Sequence, residues 1–292
     1  MFIATLIAEG LRQSDMDRAA RMLADAGQEI LGAVWIDEGT ALDLRFTGDL
    51  ETARTALKPL QGDMDVIVQP EAGREKKLLI SDMDSTMITI ECIDELADYA
   101  GLRAEISDVT ERAMRGELDF EGALDARVAL LKGLPAATLE TCYRERVVLM
   151  PGARTLVGTM RARGARTVLV SGGFTNFADP VAADIGFDRA VSNTLGFQGD
   201  ALDGTVARPI VGAEAKRATL IEEVERLGLS VAETLAVGDG ANDIPMIEAA
   251  GLGVAYHAKE KAAAAADARI VHGDLTTLLY AQGIAREAWI ED

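Results

Sequence analysis

A chain of 292 residues that is 49% hydrophobic has material for a sizeable core, and its length suits two domains or one domain with insertions. A formal charge of -19 excludes nucleic acid as a partner, since that binding depends on cationic contacts to phosphate, and no apolar run approaches the ~20 residues that span a bilayer. The start MFIATLIAEGLRQSD has neither the basic opening nor the cleavage site of a signal peptide, so a mature, cytoplasmic protein with no membrane partner is expected.

Along the chain, FIATLIA predicts a strand, DMDRAARMLADAG a helix, EILGAVWIDE and ALDLRFT two strands, DLETARTALKPL a helix and MDVIVQP a strand. Ser14 or Asp15, and Asp49, stand where helix amino caps belong, and Gly27 where a carboxyl cap belongs. The βαββαβ order, closed by the hydrophilic linker EAGREKK, makes residues 1–73 a small α+β domain of ferredoxin-like pattern. It resembles the ACT modules, which in other proteins often bind amino acids. An amino-acid ligand there and a ligand-free folding or homodimerisation role both stay open.

Residues 74–292 begin with KKLLISDMDSTMI, where an apolar strand delivers Asp82 and Asp84, followed by Thr86. Two carboxylates at that spacing can divide a phosphoryl transfer, one attacking phosphorus and the other moving the proton of the oxygen that leaves or enters. Their mutual repulsion calls for a hard divalent cation, Mg2+ above all. From about 89 to 149 a mainly helical insertion follows. Strands then recur at RTVLVS, RAVSN, ETLAVGD, GLGVAY and ARIVH, alternating with helices as a doubly wound parallel sheet requires, and LGFQGDALDGTV reads as a hairpin. Three strand-associated segments add to the first. Ser171, Gly172 and Gly173 offer a hydroxyl and free N–H groups to phosphate. Lys216 supplies a cation near a helix start, and GDGAND places Asp239, Asn242 and Asp243 on a loop suited to completing a metal site.

These four segments, in this order, resemble the haloacid dehalogenase superfamily of phosphohydrolases, and the wording DMDST, SGGF and GDGAND is similar to its phosphoserine phosphatase family. The resemblance covers the last three quarters of the chain. It implies a doubly wound α/β fold with a helical cap, and Mg2+-dependent hydrolysis of O-phospho-L-serine to serine and phosphate, the last step of serine biosynthesis. It further implies an aspartyl-phosphate on Asp82, with Asp84 as acid and base. The metal would be held by Asp82, Asp239 and the Asp84 backbone carbonyl, with Asp243 in support. Ser171, Gly172 and Lys216 would stabilise the phosphoryl oxygens, and Asn242 would line the site. In the cap, Glu91 would receive the substrate ammonium and Arg127 its carboxylate, with Met114 and Phe120 lining the pocket.

Read without that resemblance, Glu91 belongs to the acidic run ECIDELADYA and reads as a solvated helix face, while Arg127 reads as one half of a surface ion pair beside Asp125. His257 and His272 read as satisfied surface or core groups. Cys92 and Cys142, outside any CxxC or CxxH context, read as buried free thiols. GLG at 251–253 lacks the setting of a dinucleotide fingerprint and no GxxxxGK[ST] occurs, which excludes NAD and ATP as cofactors. Two other readings remain: a related phosphohydrolase of another small phosphomonoester, or a phosphotransferase that passes the Asp82 phosphoryl group to an alcohol such as homoserine, and, from a different class, an amino-acid-sensing regulator whose phosphatase part is vestigial.

Overall fold

The alternating segments at the amino end form β1 (Phe2–Ile7), α1 (Gln13–Asp25), β2 (Glu29–Asp37), β3 (Ala41–Thr47), α2 (Leu50–Leu57) and β4 (Asp65–Pro70). The computed structural model describes residues 1–115 and 117–291, with only the backbone of Met114. The four strands make one antiparallel sheet in the order β2-β3-β1-β4. Met16, Ala19 and Leu23 recur at helical spacing on α1 and are buried against the sheet face that carries Leu6, Leu44 and Val66.

The cap at Asp49 is as expected, its carboxylate accepting the N–H of Thr52 at 2.8 Å. Helix α1 starts earlier than its cap residues suggest: Arg12 is the cap, and Asp15, one turn in, accepts the Arg12 N–H at 2.9 Å. Helix α2 stops at Leu57, before the expected KPL: Lys58 is still helical at φ -50 and ψ -38, but Pro59 has no N–H to continue the ladder, and the chain tightens into a 3-10 turn at Lys58–Gly62.

The second part opens with β5 (Leu78–Ser81) and the helices α3 (Cys92–Ala100), α4 (Arg103–Met114), α5 (Phe120–Leu130) and α6 (Ala136–Arg146). It continues through α7 (Ala153–Ala162), β6 (Arg166–Phe174), α8 (Thr175–Ile185) and β7 (Arg189–Asn193) to the hairpin of β8 (Leu195–Gln198) and β9 (Ala201–Val206). Helix α9 (Ala213–Leu227), β10 (Thr234–Gly238), α10 (Ile244–Ala249), β11 (Leu252–Tyr256), α11 (Glu260–Ala265), β12 (Ala268–Ile270) and α12 (Thr277–Ala281) complete it.

Six of these strands form a parallel sheet in the order β12-β11-β10-β5-β6-β7. Leu79, Leu169 and Val237 pack on one face against Leu156, Phe177 and Leu278, and Ile80, Val170 and Ala236 pack on the other against Leu220 and Met246. Helices on both faces explain why the central strands read as unbroken apolar runs. The chain builds outward from β5 to β6 and β7 on one side, then returns to β10, β11 and β12 on the other, so the switch point lies at the carboxyl end of β5.

The helical insertion leaves and rejoins the sheet through adjacent segments, Thr89 N–H donating to Val148 O at 3.0 Å and Met150 N–H to Met87 O at 2.8 Å. The hairpin is bound to it as well: Gly133 N–H donates to Leu202 O at 2.8 Å and Leu202 N–H to Leu134 O at 2.9 Å.

Polar groups tie the first sheet to the second part. Buried Asp65 accepts the N–H groups of Val271, His272 and Gly273, which turns the chain away after Ile270 and shortens the last strand relative to ARIVH. Arg74 forks onto Asp43 at 2.5 and 2.7 Å and donates to Ala281 O at 2.8 Å. Cys92 and Cys142 are buried free thiols, and each histidine ring meets a backbone carbonyl, His257 that of Gly273 and His272 that of Gln61. No helix among the described residues is long and apolar enough to cross a membrane.

Candidate active site

The ladder between β5 and β10 continues one step past the strand, Asp82 N–H donating to Val237 O at 3.0 Å, and this fixes Asp82 at the sheet edge. Its Oδ1 accepts the N–H of Met83 at 2.7 Å and lies 2.6 Å from Lys216 Nζ, leaving Oδ2 as the less committed oxygen. Lys216, on the first turn of α9, also donates to Asp243 Oδ1 at 2.7 Å, and Asp243 Oδ2 accepts the N–H of Gly240 at 3.0 Å. Asp243 lies so close beneath Gly238 that a Cβ there would stand 2.4 Å from its carboxyl carbon, which explains the first glycine of the GDG run.

Burial alone would lower the Lys216 pKa, but Asp243 and Asp82 together outweigh it and hold the ammonium charged. One ammonium cannot balance the carboxylates around it. Burial and Asp243 push Asp82 up, and burial, Asp243 and Glu91 push Asp239 up to about 6. Among the described residues, Asp82, Asp239 and Asp243 each offer a carboxylate oxygen within 4.8 Å of one another. An all-oxygen, buried and electrostatically under-compensated group suits a hard divalent cation. The Asp84 carboxylate stands outside this group.

Asp84 faces the other way. Its Oδ1 accepts the N–H of Cys92 at 3.2 Å, at the amino end of α3, and a Cβ on Gly173 would lie 2.9 Å from its Oδ2. Burial, then Glu91, raise its carboxyl to about 7, so a proton is readily held and released near neutral pH. Beside it Ser171 Oγ accepts the N–H of Gly173 at 2.9 Å, and Thr86, expected in this motif, is buried with its hydroxyl 3.5 Å from Asp239 Oδ1.

The insertion covers this edge. Asp82, Asp84, Ser171, Gly172, Asp239 and Asn242 line one pocket together with Glu91, Phe120 and Arg127. Glu91 is the exposed residue that opens α3, at the mouth of the pocket, and it accepts the hydroxyl of Ser85, itself in the left-handed region at φ 55. Arg127 does not pair with Asp125, whose partner is Arg208 at 2.5 Å. Its Nε donates to Ala123 O at 3.2 Å, burial lowers its pKa, and Asp94 and Glu91 oppose that shift. Lys216 and Asp243 stand behind Asp82 rather than on the pocket wall. Met114 lies outside the described side chains.

Two residues that the sequence reading passed over belong here. Lys259, on the loop after β11, lines the pocket with its Nζ 3.9 Å from Asp239 Oδ2. The available signal was its position, since every loop at the carboxyl edge of a parallel sheet faces the ligand crevice. Asn193, buried at the end of β7, donates to Gly172 O at 2.9 Å and Val211 O at 3.2 Å and accepts the Val211 N–H at 2.7 Å, so one amide ties two site loops together.

Residues 76–251 match the haloacid dehalogenase-like hydrolase model. The chain belongs to the haloacid dehalogenase-like hydrolases. Among this family's members, a phosphoserine phosphatase of Archaeoglobus fulgidus is 45% identical over 218 residues, 74% of this chain and 63% of that protein. The chain therefore spans less than two thirds of that relative's length. A probable phosphoserine phosphatase of Schizosaccharomyces pombe is 36% identical over 97% of this chain and 96% of its own length. The unliganded crystal structure of a probable phosphoserine phosphatase from Vibrio cholerae superposes with a TM-score of 0.78 at 36% identity, covering 98% of this chain and 87% of that one.

Proposed function

We propose that this haloacid dehalogenase-like hydrolase converts O-phospho-L-serine to L-serine and phosphate, in a division of residues 1–73 as accessory domain and 74–292 as catalytic domain with a cap at about 89–149. The observation that carries this is the pairing, across one pocket, of the Asp82 and Asp84 carboxylates on the sheet edge with Arg127 and Glu91 on the cap. Arg127 offers a fork to a carboxylate and Glu91 accepts the N–H donors of an ammonium, which together fit a zwitterionic head.

In the first step the Asp82 carboxylate attacks phosphorus in line. The bond from phosphorus to the serine oxygen breaks as Asp84 gives that oxygen its proton. Asp84, now a carboxylate, takes a proton from water, whose oxygen bonds to phosphorus as the acyl-phosphate bond to Asp82 breaks. Lys216 acts on Asp82 from behind, keeping it ionised and fixing its orientation, while Ser171 and the N–H of Gly172 meet the phosphoryl oxygens. Asp82 and Asp239 would hold Mg2+, with the Asp84 backbone carbonyl as a further donor and Asp243 holding Lys216 and the loop. When bound, the ion supplies charge neutralisation to the phosphoryl group. Asn242 lines the metal loop.

The relatives named phosphoserine phosphatase support this substrate over a phosphotransferase reaction. The presence of Asp82, Lys216 and Asp239 in one buried cluster, with Asp84 lining the same pocket as Asp82 and Asp239, argues against a vestigial site. The test is phosphate release from O-phospho-L-serine, with Mg2+ and with EDTA, beside phosphothreonine, p-nitrophenyl phosphate and added homoserine. Metal-dependent turnover favouring phosphoserine is expected. Turnover without that preference, or transfer to homoserine, would contradict the substrate assignment. Homodimerisation and an amino-acid ligand in residues 1–73 stay proposals, and a cytoplasmic site of action accords with an anionic metabolite as substrate.

A further inference from the structure

Phe120, the first residue of α5, lays its ring across two loops of the catalytic sheet at once. A Cβ at Gly172 would lie 3.2 Å from the ring tip, and a Cβ at Gly212 would lie 3.1 Å from each of two atoms along the ring edge. For Gly212 those two ring carbons are the whole of what a Cβ would meet within 4 Å. The backbone there gives no reason for glycine: Gly212 caps α9 at φ -120 and ψ -160, outside the left-handed region, and Ser, Asp or Asn would cap the helix at least as well. The space above it is what is used.

The two loops under the ring carry Ser171, which lines the pocket, and Lys216, which holds Asp82 from behind. Gly172 follows Ser171, and Gly212 opens the helix whose first turn holds Lys216, the Lys216 N–H donating to Gly212 O at 3.0 Å. Asn193 joins the same two loops from below through Gly172 O and Val211. We infer that Phe120 is the contact through which closure of the cap sets the Ser171 and Lys216 loops together, and that Gly212 is a positioning residue, kept without a side chain so that the ring can seat. This rests on the proposed function for its substrate and adds to it a coupling device and a residue with a role of its own.

The competing account, a glycine suited only to capping, predicts a different catalytic outcome for one substitution. Gly212→Ser improves the cap, so capping alone gives unchanged or higher stability and unchanged catalysis. Ring seating gives unchanged or higher stability with a KM for O-phospho-L-serine raised severalfold, and Gly212→Val, whose added methyls enter the ring's space, about tenfold or more. The decisive measurement is the cycle of wild type, Gly212→Ser, Phe120→Ala and the double variant, each with Mg2+, in kcat/KM and Tm. With the ring absent the serine at 212 has nothing to displace, so the double variant is expected to match Phe120→Ala. An equal loss from Gly212→Ser in both backgrounds, or no loss with the ring present, overturns the inference. If the wild type turns over p-nitrophenyl phosphate and not phosphoserine, the substrate reading fails instead, and the same cycle is read on p-nitrophenyl phosphate.

Discussion

Lys216 Nζ lies 2.6 Å from Asp82 Oδ1, and both side chains are shielded from solvent, so the attacking carboxylate and its cation form one buried unit with Asp243 behind them. Removing the cation while keeping the volume, as in Lys216→Met, leaves two buried carboxylates facing each other. Loss of one partner of such a pair costs about 3–5 kcal/mol. Denaturation in EDTA should show a drop of that order, Mg2+ should restore part of it by replacing the lost charge, and kcat should fall by about 100-fold or more. Equal destabilisation with and without Mg2+ would count against a metal held by this cluster.

Arg127 reaches into the pocket with no ion-pair partner of its own among the described residues, which leaves its fork for the substrate. Arg127→Ala should raise the KM for phosphoserine by about 10- to 100-fold, the worth of a charge-assisted pair, and change p-nitrophenyl phosphate turnover little. Arg127→Lys should rescue only in part, because the ammonium cannot fork. Equal effects on both substrates would contradict the role given to this arginine.

Lys259 is 72% exposed and stands at the rim beside Asp239, in a chain whose charge of -19 repels anions. Its contribution should be long-range recruitment. Lys259→Ala is predicted to lower kcat/KM severalfold at low ionic strength, with the difference fading at about 0.5 M salt, where the screening length is a few ångströms. A salt-independent loss would mean direct contact with the substrate instead.

Lys76 gives a pH dependence of stability. It is buried with its ammonium donating to Ala232 O at 2.8 Å, and burial lowers its pKa to about 8, against partial opposition from Asp267. Below pH 8 the folded and unfolded chains both hold the proton, and the cost of burying the charge is present in full. Between 8 and the ordinary lysine value near 10.4 the folded chain has released it and the unfolded chain has not, so this group's contribution to stability rises with pH. Lys76→Met should therefore gain on the wild type at pH 7 relative to pH 10, by on the order of 2 kcal/mol in denaturant melts. A difference that is flat between these pH values would contradict the burial of a charged amine there.

The order of strands and the chemistry at their ends were legible because apolar runs report burial directly, as in FIATLI, buried at all but its first residue, and TLAVG, buried throughout. The acidic and glycine motifs were legible for a related reason, each lying immediately after such a run. What escaped was decided by partners distant in sequence. Asp125 pairs with Arg208, 83 residues away, so its neighbour Arg127 is released from the surface pair that local reading suggests. Asp65 reads as an ordinary polar strand end, yet it is buried by three N–H groups more than two hundred residues on. The early start of α1 escaped because Asp15 serves its cap from inside the helix, where an acidic residue also reads as a cap itself. Gly212 was silent: its reason is a ring on another element.

The central claim is that Asp82 carries the phosphoryl group. Rapid acid quench of the Mg2+-loaded protein turning over O-phospho-L-serine labelled with 32P, followed by peptide mapping, tests it most directly. The label is predicted on the peptide containing Asp82, appearing and decaying at rates compatible with turnover, and absent from Asp82→Asn. Turnover with no labelled protein at any quench time, or label on another residue, would contradict the account.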